Sequence, residues 1–257
     1  MTKPKPRRHQ PSRRAGELPD VPIPRHGDDV THTDASRPHP APRLTSELIS
    51  DLPATGPTDP IHYYRKPYVG WLFRQRINRG LSLLPARRFD RVLEVGFGAG
   101  AVLRALAPVA RELHAIDLDA DPKLVGAQLQ RDGVAAQLVQ GNVLALPYPD
   151  AHFELAVSFS VFEHLHEYER ALREVHRVLR PGGLFLLGMP SVNRLMEAGF
   201  AAIGFKNIDH HHVTTPAQVR GAFGATAFRA LRTAHLDFPG PRPFGLRLYY
   251  NTLLEKA

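Results

Sequence analysis

Cysteine is absent from all 257 residues. That excludes a disulfide framework, a Cys-ligated zinc or iron–sulfur centre and a thiolate nucleophile. Long apolar runs are absent too: no stretch approaches the ~18 residues that a membrane-spanning helix needs. The N-terminus is basic, but no apolar segment of the secretory type stands behind its charges, so the expected location is the cytoplasm. Tryptophan occurs once and the hydrophobic share is 43%. A chain of this length suits one sizeable globular domain with a tail, and is short for two full ones.

What the chain has in excess is positive charge, 33 Lys and Arg against 25 Asp and Glu, for a net +8. Residues 1–43 hold nine Lys and Arg against five acidic residues, with many prolines and no aromatic side chain. Such a segment cannot bury enough apolar surface to offset its ordering entropy, and it is expected to be a disordered tail. Clustered cations can release counterions from phosphates, so a nucleic-acid-binding arm competes with the plainer reading of a solvated tail. The remaining body carries the other half of the net charge, 24 Lys and Arg against 20 acidic residues, so the basicity is split between the two and singles out no partner.

Apolar and aromatic residues between 63 and 84, among them Tyr64, Tyr68, Trp71, Leu72, Ile77, Leu81 and Leu84, recur at three- and four-residue steps. This spacing predicts an amphipathic helix with Pro67 near its first turn and Pro85 beyond its end. From residue 89 the pattern alternates. Short apolar runs at 91–95, 113–116, 136–139, 153–159 and 183–189 read as strands, and 101–110, 123–131 and 168–179 as helices. Strands alternating with helices of about ten residues imply crossover connections and a parallel sheet covered on both faces. Beyond Met189 come a helix near 193–202, a histidine-rich loop, a helix opened by Thr215 and Pro216 with Gln218 at the capping-box position, and strands at 229–236 and 246–254. The fold class is therefore α/β, a doubly wound, mostly parallel seven-stranded sheet with an antiparallel C-terminal hairpin. Its expected parts are the tail 1–43, a helical lid segment 44–88 and a domain 89–257.

Gly96, Gly98 and Gly100 stand at alternate positions between the first strand and the first helix. Glycine there lets the backbone turn tightly and approach a ligand at a helix N-terminus that favours negative charge. Three readings fit: an adenosylmethionine site, a dinucleotide site, since G-x-G-x-x-A is also satisfied, and a purely structural turn. Asp117, at the end of the second strand, is placed to accept hydrogen bonds from ribose hydroxyls, as the same position does in dinucleotide enzymes; Asp119 is near enough to be confused with it.

At this point the chain resembles the class I S-adenosylmethionine-dependent methyltransferases, in particular their type 11 small-molecule group. The motifs that carry the likeness are VLEVGFGAG at 92–100, AIDLD at 115–119, GNVLALPYPDAHFE at 141–154, SFSVFEHL at 158–165 and REVHRVLRPGG at 173–183. The resemblance implies that S-adenosylmethionine is the methyl donor and a small molecule the acceptor. It implies that Glu94 and Gly96 approach the methionine moiety, that Gly98 and Gly100 belong to the same cofactor-binding loop, and that Asp117 holds the ribose. It further implies that Asn142, standing where the family usually has Asp, meets the adenine together with Val143, that Leu118 and Leu144 flank the ring, and that Ser158 and Phe159 bring backbone groups to the methionine end. The turn from Arg180 to Gly183 would be scaffold.

Displacement at a sulfonium needs alignment more than a nucleophile, and a general base only where the acceptor must lose a proton. Two base candidates stand out: His164 just past the fourth strand, and the run His210, His211 and His212. Capping, packing and solvation are the competing roles for these rings. His211, with Tyr63 and Tyr64 in the lid, is also placed with the acceptor. No metal site is expected, because neighbouring side chains of an extended histidine run point opposite ways. An RNA or protein methyltransferase using the basic tail and a dinucleotide-dependent oxidoreductase are the competing functions. Against a base methyltransferase, nothing like an Asp/Asn-Pro-Pro-aromatic motif follows the fourth strand. Acceptor identity and oligomeric state are not legible at this level.

Overall fold

The computed structural model describes residues 41–53, 55, 67–191, 212–237 and 247–257. The chain divides into two units, Met1–Arg37 and Pro38–Ala257, and every described residue lies in the second. The expected tail thus falls almost wholly outside the described residues, as do the helix near 193–202, Tyr63, Tyr64, His210 and His211.

Seven strands form one sheet: β1 (Phe89–Val95), β2 (Ala110–Asp117), β3 (Gln137–Gln140), β4 (Phe153–Phe159), β5 (Leu179–Pro190), β6 (Phe228–Asp237) and β7 (Arg247–Lys256). Their order is β3-β2-β1-β4-β5-β7-β6. The pairs among β1 to β5 are parallel, and β7 lies antiparallel to both β5 and β6. The described α-helices are α1 (Pro67–Leu81), α2 (Ala101–Leu106), α3 (Pro122–Arg131), α4 (Tyr168–Val178) and α5 (Pro216–Gly221).

Every residue of β4 is buried, as a central strand covered on both faces must be. Leu155, Val157 and Phe159 enter one apolar cluster with Ile77, Leu81 and Leu103, while Ala156 enters the other with Leu172, Val175 and Phe185. The doubly wound fold and its closing antiparallel pair agree with the expectation from the sequence pattern.

Most boundaries differ from that pattern by a residue or more, and three of the larger differences have a local reason. α2 ends at Leu106 and a 3-10 turn, Ala107–Val109, follows, because Pro108 brings no donor for a further helical turn. β2 begins at Ala110 rather than 113, its first turn of pattern hidden by the exposed Arg111 and Glu112. β5 begins before the Pro-Gly-Gly turn instead of after it. Its register against β4 jumps from Phe153↔Leu179 to Leu155↔Leu184, so residues 180–183 bulge opposite Glu154, with Gly182 at φ 69°.

α1 lies against β7 and β6. Gly80 makes the approach close: a Cβ there would sit 2.6 Å from Asn251 Oδ1 and 2.8 Å from the Phe159 ring. Asn251, fully buried in β7, donates from Nδ2 to the Arg76 carbonyl at 3.1 Å. On the helix's other side Asn78 pairs with the backbone of Leu44 in both directions, at 2.7 and 3.0 Å. Leu44 is buried, so the folded body already includes this residue. The capping box of α5 is formed, Thr215 Oγ1 accepting from Gln218 N–H and Gln218 Oε1 from Thr215 N–H. No described helix is long and apolar enough to cross a membrane.

Candidate functional site

The loop that leaves β1 turns three times through the left-handed region, at Gly96 (φ 84°), Gly98 (φ 45°) and Gly100 (φ 76°). The three glycines serve different ends. A Cβ at Gly96 would lie 2.2 Å from Val161 Cγ2, and one at Gly100 would lie 3.0 Å from Val125 Cγ1. At Gly98 nothing lies within 4 Å of that position. The outer two glycines therefore admit protein packing, and the middle one keeps an open face toward the crevice at the strand carboxyl ends, where open α/β sheets bind ligands.

Asp117, at the end of β2, braces this loop. Its Oδ2 accepts from Gly98 N–H at 2.8 Å, and its Oδ1 accepts from Asp119 and Ala120 N–H, both at 2.9 Å. Two carboxylate oxygens offer about four acceptor sites, so one remains for a ligand hydroxyl. A second brace comes from Arg104 on α2, nearly buried. Its guanidinium donates to the Ala99 and Gly100 carbonyls at 3.1 and 2.9 Å and forks onto Asp132 at 2.8 and 2.5 Å.

Glu94 is buried beneath the loop. Burial, and then the Asp117 charge, hold its carboxyl well above the usual carboxylate range, and the Leu103 N–H opposes them. Its Oε2 has no hydrogen-bond partner among the described residues. A buried orphan acceptor beside an open glycine is the kind of feature a cationic ligand end would complete.

Leu118 projects from the end of β2 with 60% of its surface exposed, and Leu144 is half-buried. Asn142 turns its Oδ1 onto Leu144 N–H at 2.9 Å, an Asx turn that fixes the segment after β3, while Val143 is buried. Together they offer an apolar face, an ordered amide and, in Asp117, a carboxylate with acceptor capacity to spare. Ser158 is engaged in the sheet, its Oγ donating to Val95 O at 3.1 Å and its backbone paired between β1 and β5. The residues that turn out of β4 are Ser160 (φ 58°) and Val161.

Beyond Ser160 the site becomes polar. Arg76 donates to Ser160 Oγ at 3.1 Å, and that hydroxyl is 2.9 Å from Tyr249 Oη. The Arg76 guanidinium lies over the Phe73 ring at 4.4 Å and the Tyr249 ring at 5.4 Å. The 3-10 turn Phe162–His164 then points Glu163 inward, 1% exposed, and His164 outward. Burial pushes the Glu163 carboxyl up to about 8; its own backbone N–H, the Arg76 charge and the Ser160 hydroxyl oppose the shift.

The chain returns to this turn at residues 212–214. Val213 and Thr214 N–H donate to the Glu163 carbonyl at 2.8 and 3.1 Å, and Thr214 Oγ1 to Leu165 O at 2.6 Å. This brings the His212 ring to 5.2 Å from that of His164. One ligand atom each from Glu163, His164 and His212 lies within 4.8 Å of the other two. Of the two base candidates read from the sequence, the structure thus brings together His164 and His212; His211, like Tyr63 and Tyr64, is outside the described residues. A groove of about 350 Å³ lies at the opposite end of the strands, lined by charged residues that pair among themselves, such as Arg91 with Glu112 and Arg111 with Asp90.

Arg76, Arg104, Glu163 and Tyr249 do not emerge from the sequence pattern alone. Only Glu163 carries a signal there, as the neighbour of His164 in the quoted motif. The others reach the site from α1, α2 and β7, which the topology alone brings to it.

A seven-stranded sheet of this order with a left-handed glycine loop and an acid at the end of β2 defines an α/β nucleoside-binding protein. A family model described as a methyltransferase domain matches residues 93–187. A demethylmenaquinone methyltransferase of Deinococcus radiodurans is 30% identical over 174 residues, 63% of this chain and 70% of that protein. A malonyl-acyl-carrier-protein O-methyltransferase of Enterobacter lignolyticus is 32% identical over 126 residues, 49% of either chain. The solved structure of the N-methyltransferase NodS from Bradyrhizobium japonicum, in complex with S-adenosylhomocysteine, shares the fold at TM-score 0.55 and 19% identity, covering 82% of this chain and 95% of that one. The chain belongs to the class I S-adenosylmethionine-dependent methyltransferases. It spans about half the length of several curated relatives it matches, 38, 49 and 56% for three of them.

Proposed function

We propose that this protein transfers the methyl group of S-adenosylmethionine to a small-molecule acceptor. The observation that carries the reading is the open left-handed Gly98, held by Asp117 and flanked by the exposed Leu118. Bound there, the donor supplies an electrophilic methyl carbon on a sulfonium. Gly98 N–H and Asp117 hold the loop in place before the ligand arrives, which reduces the ordering cost of binding. Glu94 offers a buried acceptor under the methionine end, Asp117 keeps capacity for a ribose hydroxyl, and Asn142, Val143, Leu118 and Leu144 frame the base. Ser158 and Phe159 carry the end of β4 toward the sulfur.

Alignment of acceptor and donor in a dry crevice can contribute about 7–11 kcal/mol without a covalent intermediate. Proton removal, where the acceptor requires it, is assigned to the cluster at the 162–164 turn, with His164 its most accessible member. Arg76, Ser160 and Tyr249 line the same end, and Tyr63, Tyr64 and His211 complete the acceptor side in this reading. A small acceptor is favoured over a nucleic acid because Ser160, Val161 and Phe162 occupy the place of a base-methylating motif, and because the named relatives include a demethylmenaquinone and a malonyl-carrier O-methyltransferase. The protein works in the cytoplasm on this reading.

Titration calorimetry with S-adenosylhomocysteine and, separately, NAD tests the donor site: saturable binding of the former and none of the latter is expected. Radiolabel transfer to total RNA, with and without residues 1–43, tests the acceptor class. Label that appears in RNA only when the tail is present would reverse the assignment.

A further inference from the structure

We infer that Glu163, His164 and His212 form a divalent transition-metal site at the acceptor end of the crevice. The inference rests on the methyltransferase reading for its functional meaning, since the cluster lies just past the end of β4 beside Ser160. Its geometric basis is independent of that reading. Three ligand atoms from three side chains lie within 4.8 Å of one another. One of them belongs to a carboxylate that is 1% exposed and has an oxygen without a hydrogen-bond partner among the described residues.

Ligands at about 2.1 Å from a common ion stand roughly 3.4 Å apart in a tetrahedron. Closing the set therefore calls for small side-chain rotations, which an exposed His164 ring and a half-buried His212 ring can make. The backbone is already fixed for it. Val213 and Thr214 N–H both donate to the Glu163 carbonyl, so the two segments bearing the three donors are tied at the residue that carries the carboxylate. The difficulty of consecutive histidines is avoided, because the run contributes His212 alone among the described residues and the 162–164 turn contributes the other two donors.

Two imidazoles and one carboxylate suit Zn²⁺, Fe²⁺, Co²⁺ or Ni²⁺ better than Mg²⁺ or Ca²⁺, which prefer all-oxygen sets. Three protein ligands leave at least one position open. That position would take an oxygen or nitrogen of the acceptor, whose own pKa the cation would lower in place of proton removal by His164, so the site favours acceptors that present a hydroxyl, enol or amine able to ligate. Arg76 donates to Ser160 Oγ at 3.1 Å, and both groups act on the Glu163 carboxylate, so the cation would compete with them for it.

The full-length protein, stripped with a chelator, is titrated with Co²⁺ and followed by visible absorption, then with Zn²⁺ by calorimetry. One equivalent with a d–d spectrum of mixed nitrogen and oxygen ligation is expected. Glu163→Gln and His212→Ala should each weaken Co²⁺ binding by more than the roughly 10- to 100-fold typical of outer-shell changes, while His166→Ala, on an exposed neighbouring position, should leave it unaltered. S-adenosylhomocysteine binding is measured on every variant to confirm folding. Absence of metal binding by the parent protein, or equal affinity in parent, Glu163→Gln and His212→Ala, overturns the site. Loss of S-adenosylhomocysteine binding by the parent with metal binding intact overturns the methyltransferase reading instead.

Discussion

Replacing Asp117 with alanine should damage the protein before any ligand is added. The carboxylate accepts three backbone N–H groups, from Gly98, Asp119 and Ala120. Asp119 is exposed and water can replace its bond, but Gly98 and Ala120 are partly or wholly covered. Leaving each of those two donors unpaired costs about 1–3 kcal/mol, so the ligand-free protein should lose about 2–6 kcal/mol, on the order of 10 °C in Tm for a domain of this size. Ligand binding should weaken by a further 1–3 kcal/mol or so, through loss of a charged acceptor for a hydroxyl. Asp117→Asn keeps one oxygen and can serve only one side of the brace, so it should fall between the two. Thermal unfolding without ligand and calorimetry with S-adenosylhomocysteine separate the contributions. An unchanged unfolding midpoint in Asp117→Ala, with affinity reduced, would show that the brace has no energetic weight and that the carboxylate serves the ligand alone.

The glycines give a contrast within one loop. Gly98→Val should cost stability only through its left-handed φ, about 1–2 kcal/mol, yet abolish S-adenosylhomocysteine binding, whereas Gly96→Ala should cost several kcal/mol through the Val161 clash; equal stability losses in the two would refute the assignment of the open face. His114 supplies a pH effect. Its ring is buried against Tyr148, His152 and Phe153, and burial lowers its pKa, with Glu112 partly opposing the shift. As pH falls below about 6.5 the unfolded chain binds a proton that the folded ring resists, so stability is lost on acidification. His114→Phe should flatten the unfolding-versus-pH curve below about pH 6.5 and leave pH 8 stability nearly unchanged; a slope equal to the parent's would place the effect elsewhere.

The sheet was legible in the sequence because β4 and its neighbours are covered on both faces and read as continuous apolar runs, with glycine loops marking their ends. The edges were less so. Arg111 and Glu112 mask the start of β2, and the turn that looked like the start of β5 is a bulge inside it. The glycine loop and the acid one strand away were also legible, and the structure joins them through Gly98 and Asp117, because both act through local backbone geometry. The acceptor side was not. Glu163 joins His212 across 49 residues, and Arg76 meets Tyr249 across still more, through contacts that no local spacing encodes.

The glycine at position 80 has a consequence for how the crevice can open. With its backbone pressed onto Phe159 and Asn251, and the Arg76 carbonyl bound to Asn251, the second half of α1 is part of the wall and cannot swing. The first half of the helix differs: there Tyr68 and Trp71 stack at 6.1 Å on the outer surface. One helix is thus divided between a half built into the sheet and a half set on the surface, so substitutions in the first strain the wall while those in the second leave it in place.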